Sequence, residues 1–150
     1  MSITENQDNE VRLWRVDLPD HKTYAYTNLK RNFSSHDTRY AVVMVDARKL
    51  LAAIERETSD YVLPAVSNWY PGKRNGLHQF LNPSSQRIPE MPHVAIKTCR
   101  QGFMFLQQEA VVSFRNGQHR ARYMIDAGAV AFPVEIDATG AKLLARFCGA

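Results

Sequence analysis

The sequence predicts a single α+β domain with a mixed sheet, built around one strand–turn–helix–strand unit. Three observations lead there. Apolar residues alternate with polar ones in some stretches, such as Val11–Leu18, and recur at helical spacing in others, such as those after Asp46 and His119. Asn116-Gly117 separates a β-branched run from a helical one, and Gly128 separates that helix from a further strand. At 150 residues, 45% hydrophobic and 23% charged, the chain has the composition of an ordinary globule, long enough to bury one core without staples.

Taken in order, residues 1–10 are polar and acidic and are expected to form a disordered tail before a domain over residues 11–150. Val11–Leu18 reads as a strand ended by Pro19-Asp20-His21, with Tyr24–Leu29 returning as its hairpin partner. Lys30–Thr38 is polar and reads as a loop. Tyr40–Val45 reads as a buried strand, and Asp46 caps a helix through Leu50, Leu51 and Ile54, a role that suits it better than catalysis. Five prolines limit Tyr61–Pro92 to short pieces, with Gly76–Leu81 as one helical turn or two. Pro92–Arg100 and Phe103–Leu106 read as a hairpin leading to the strand at Val111. After Ile136, Asp137 or Thr139 is placed to cap a last helix through Leu143, Leu144 and Phe147.

Composition excludes several classes. The longest apolar runs are a few residues, so no segment can span a bilayer, and the acidic start lacks the basic and apolar regions of a secretory signal. A cytoplasmic protein is expected, with Cys99 and Cys148 reduced. The formal charge is +4, but Glu5, Asp8 and Glu10 lie in a tail without cations; residues 11–150 carry nineteen cations against twelve carboxylates, or +7. Such a body suits polyanions: nucleic acid, nucleotide or an acidic protein face. The five histidines are scattered and the cysteines unpaired in sequence, so no metal site is predicted, although folding can still gather Asp46, Glu90, Glu109 or Glu135.

The most informative stretch is Val111–Ile136. Its strand ends at Asn116-Gly117, and a helix follows whose first turn holds His119 and Arg120, with Arg115 before it and Arg122 after. Cations ordinarily favour the other helix end, because the N-terminus already presents partial positive charge and open N–H groups. An anion bound there resolves the conflict, so Arg115, Asn116, Gly117, Gln118, His119 and Arg120 are candidate phosphate ligands. Surface arginines around an ordinary core unit are the plainer alternative. His119 has the chemistry for proton transfer at neutral pH, and Arg120 that for permanent, bidentate phosphate contact. Upstream, Trp69-Tyr70-Pro71-Gly72-Lys73-Arg74 joins two aromatics to two cations. Folded over the glycine turn, Lys73 or Arg74 would meet phosphate and Trp69 or Tyr70 a base; otherwise this is a surface loop anchored by its aromatics.

The run FRNGQHRARYMIDAGAVAFPVEI resembles the signature segment of the ParB/sulfiredoxin fold, in which a strand leads through G-x-H-R into a helix, a glycine and a P-V strand. Within it the sequence is most similar to plasmid fertility inhibition factors, through YVLPAVSNWYPGKRNGLHQFLNPSSQRIPEMP and over most of residues 11–137. The resemblance implies a plasmid-encoded protein of the bacterial cytoplasm that blocks conjugative DNA or T-DNA transfer. It also implies a nucleotide ligand, ATP or another NTP with Mg2+, and an NTPase or nuclease activity with His119 and Arg120 as its catalytic pair. The partners it implies are a type IV secretion coupling protein or a relaxase–DNA complex, with DNA itself a further one. Two alternatives stay open: a non-catalytic blocker of such a partner, and a stand-alone nucleic-acid-binding domain. Sulfiredoxin chemistry is disfavoured, because Gln118 stands where a cysteine is needed. ParB-type partition is disfavoured as well, since fourteen residues follow Ile136 where further DNA-binding helices are needed.

Overall fold

The computed structural model describes residues 11–57 and 63–150; the tail expected over residues 1–10 lies outside them. Two short strands come first, β1 (Trp14–Asp17) and β2 (Tyr26–Leu29), then β3 (Tyr40–Asp46) and helix α1 (Ala47–Glu55). Helix α2 (Pro71–Phe80) and strands β4 (His93–Gln101) and β5 (Gln107–Asn116) lead to helix α3 (Gln118–Asp126), strand β6 (Ala131–Asp137) and helix α4 (Ala141–Cys148). β1 and β2 form their own antiparallel pair, while the other strands make a mixed sheet in the order β3-β6-β4-β5. This is the α+β architecture expected of the sequence.

β6 is central. It pairs antiparallel with β3 from Tyr40↔Asp137 to Asp46↔Ala131, and parallel with β4 at His93↔Glu135, where the Glu135 N–H donates to the Pro92 carbonyl at 2.9 Å. That bond explains how Pro133 sits in a central strand. Backbone N–H groups two residues apart point to the same strand edge, so the donor that proline lacks falls on the β4 side, beyond the level at which β4 joins. β5 is antiparallel to β4 and hence to β6, so the unit carrying α3 is not a parallel βαβ crossover.

Phe132, Val134 and Ile136 are buried, as alternation predicts, but Pro133 and Glu135 on the opposite face are buried too. β1 packs against β6, and Arg31 and Asn32, just beyond β2, reach Glu135, which turns that face into interior. α1 packs on β5, α4 on β3, and the two helices on each other. Asp46 caps α1 as expected, its Oδ1 accepting the Arg48 and Lys49 amides at 3.0 Å each, a contribution of about 1 kcal/mol. Leu50, Ala53 and Ile54 form the buried stripe of that helix.

Several boundaries differ from the sequence reading. β1 begins at Trp14, with Val11 and Leu13 exposed. β3 is an edge strand and mostly half-buried. α2 begins at Pro71, where a fixed φ and a missing donor cost nothing at the first helical position, so two glycines do not prevent a ten-residue helix. The partner of β4 is Gln107–Asn116, and Phe103–Leu106 forms the hairpin tip instead. There Met104 takes φ +56°, and Phe103, Met104 and Leu106 are exposed. Neither Asp137 nor Thr139 caps α4; a 3-10 turn over Ala138–Gly140 leads into it.

Candidate functional site

The site grows from Gly117, the N-cap of α3, at φ +85°, ψ 18°. A side chain there would be strained, and its Cβ would lie 2.9 Å from Pro92 Cα and 2.8 Å from the Arg120 Nη2. Glycine thus lets β5 turn into α3 directly against the start of β4. The Ala121 N–H donates to the Gly117 carbonyl at 3.0 Å and opens the helical ladder. The His119 and Arg120 amides precede that bond and have no acceptor four residues back within the helix. No side chain among the described residues caps this helix end.

Arg120 extends from this turn into a half-buried position, its guanidinium 5.9 Å from the Phe80 ring centroid, the outer limit of a cation–π contact. Its Nε and Nη2 are buried and have no hydrogen-bond partner among the described residues, and the same holds for Nε and Nη2 of Arg122. Burial holds the Arg120 pKa below its ordinary value; Glu90 opposes that shift and Arg87 adds to it. A guanidinium keeps its charge even so, and desolvated donors without acceptors cost free energy that an anion would recover. His119 packs edge-on against Trp69, ring centroids 5.2 Å apart and planes at 64°. Burial, and then the charge of Lys73, lower its pKa from 6.5, so the imidazole is neutral at pH 7.

Gly117 and Arg120 meet at this turn, His119 and Gln118 lie in the same first turn of the helix, and Lys73 is near enough for its charge to act on His119. Arg115 and Asn116 are exposed at the end of β5. Trp69 is corrected from stacking platform to support: it is 6% exposed, its indole N–H donates to the Pro64 carbonyl at 2.9 Å, and it braces His119. Tyr70 is exposed, and its ring lies back over Gly72. Arg74 faces another cleft, shared with His21, His78 and Tyr123. There the backbone amides of Thr23 and Tyr24 donate to His21 Nδ1, which leaves the proton on Nε2 to donate to the Tyr123 hydroxyl at 2.9 Å. This network, and the residues Phe80 and Arg87 around Arg120, carried no sequence signal, because contacts between distant segments make them.

Among the described residues no three histidine, cysteine, aspartate or glutamate side chains gather to hold a metal. The four carboxylates noted in the sequence are apart: Asp46 caps α1, Glu109 pairs with Arg56, Glu135 with Arg31, and Glu90 lies near Arg120. The donors present fit phosphate oxygens, and a divalent ion arriving with a nucleotide would take most of its ligands from the phosphates and water.

The family model described as plasmid fertility inhibition factor matches residues 42–149. The crystal structure of an oncogenic suppression activity protein, a plasmid fertility inhibition factor studied as a gold(I) cyanide derivative, superposes with a TM-score of 0.63 at 16% identity. The match covers 92% of this chain and 69% of that one. At such identity the likeness concerns the fold alone. No curated protein sequence matches the chain. With its family model spanning β3 to α4, the chain belongs to the plasmid fertility inhibition factors.

Proposed function

We propose that the protein blocks conjugative DNA or T-DNA transfer from the bacterial cytoplasm through a nucleotide-dependent activity at the start of α3. The observation that carries this reading is the Arg120 guanidinium, buried beside a left-handed glycine with two donors unpartnered among the described residues. Nε–H and Nη2–H form a fork that two phosphate oxygens fit, the helix amides add further donors, and Lys73 supplies charge at the rim. His119, neutral at pH 7, is able to take a proton from an attacking water. Mg2+ carried in with ATP or another NTP would neutralise the phosphates.

Calorimetric titration with ATP, CTP and GTP, with and without Mg2+, tests this, beside NTP turnover, DNA cleavage and mating assays. Arg120→Ala is expected to lose binding, turnover and inhibition together, and His119→Ala turnover and inhibition. Inhibition retained by both variants would refute the enzymatic reading.

One observation favours a second reading, a non-catalytic blocker of a coupling protein or relaxase complex. Phe103, Met104 and Leu106 stand exposed at the β4–β5 hairpin tip, where they add nothing to this chain's core. Polar substitutions there would abolish inhibition and leave nucleotide chemistry intact.

A further inference from the structure

We propose that the cleft between β1 and the segment after β2 binds single-stranded nucleic acid, separately from the α3 site. The cleft has a volume of about 650 Å3, and none of the ten described residues that line it is acidic. Arg12, Trp14, Lys30, Phe33 and His36 contribute its chemistry.

Its floor is held from beneath. Lys30 bridges Glu90, its N–H donating to the Pro89 carbonyl at 3.0 Å and its carbonyl accepting from Met91 at 2.8 Å. Glu135, fully buried in β6, accepts from Arg31 Nε at 3.0 Å, from Asn32 Nδ2 at 2.8 Å and from the Asn32 backbone N–H. Arg31 Nη2 also donates to the Tyr40 carbonyl at 3.1 Å. Phe33 then lies flat on Tyr40, ring centroids 3.7 Å apart and planes 7° from parallel. Arg31 therefore spends its charge inside the protein. Arg12 and Lys30 do not: neither is ion-paired among the described residues.

Two cations beside two partly exposed rings on a preorganised floor match a strand whose bases are unstacked and whose phosphates run alongside. The Arg12 guanidinium lies 4.6 Å over the Trp14 ring, a place a base can take as Arg12 moves to the phosphate. Duplex nucleic acid hides its base faces and does not use these rings. The site needs no nucleotide and no part of α3.

The test is fluorescence anisotropy of labelled oligo(dT), oligo(rU) and a duplex with the full chain over a salt series. Either single strand is expected to bind more tightly than duplex, and the stronger arm names the natural source. Trp14→Ala weakens binding about tenfold, within the range of one stacked base. Arg12→Ala and Lys30→Ala each lower the slope of log affinity against log salt by about 0.7. Trp14 packs on the core, so Trp14→Phe is included to keep the fold, with a smaller loss expected. Arg120→Ala leaves strand binding unchanged, which separates this site from the nucleotide reading. Unchanged binding in Trp14→Phe, Arg12→Ala and Lys30→Ala, or duplex bound as tightly as single strand, overturns the proposal. So does an Arg120→Ala loss equal to that of Trp14→Ala.

Discussion

Glu135→Ala removes the acceptor of three hydrogen bonds and leaves the Arg31 guanidinium, 15% exposed, without its counter-charge. Breaking a buried pair from one side costs about 3–5 kcal/mol, because the surviving charge stays desolvated. For a chain of this length that lowers Tm by roughly 10–15 °C. Replacing both partners, Arg31→Met with Glu135→Leu, removes the orphaned charge and is expected to recover most of the loss. A residue of about 1 kcal/mol remains for the Asn32 donors. Urea and thermal unfolding followed by circular dichroism measure both variants. A Glu135→Ala loss under about 1 kcal/mol, or a double variant no more stable than the single one, would show that the pair does not hold the segment at residues 30–33.

Two further outcomes follow from the geometry. Gly117→Ala is expected to cost about 1–2 kcal/mol for the left-handed backbone alone, and more for the contact with Pro92 Cα, and to weaken nucleotide binding by displacing Arg120; wild-type stability and binding would contradict it. His21 and His119 both have pKa values lowered from 6.5, His21 by burial and then by the His78 charge. Between the folded values and 6.5 the unfolded chain binds more protons, so their contribution is present above pH 6.5 and lost as pH falls below it. Denaturation midpoints measured through that range should decline in the parent and flatten in His21→Gln/His119→Gln.

Local rules made much of the architecture legible in advance. Asn-Gly has a strong turn preference, so the end of β5 and the start of α3 fell at Asn116 and Gly117; Gly128, at φ +90°, ended that helix for the same steric reason. Asp46 carried its cap within three residues of its own position. Cations in a helical first turn stood out because they conflict with the dipole, and this singled out His119 and Arg120 without any knowledge of their neighbours.

What tertiary structure decided was which side of each residue met solvent. Phe103–Leu106 reads as a strand because its residues are apolar, yet the long register of β4 with β5 makes it a tip with nothing opposite. Trp69 and Arg74 belong to one short motif, but packing sends the indole beneath His119 and the guanidinium into a different cleft. Glu135 sits at an alternating polar position and is wholly buried, because Arg31 and Asn32, more than a hundred residues away, fold over it. Turns, caps and dipoles act over three or four residues and are written locally. Burial depends on which distant segments arrive, and only the folded chain brings them together.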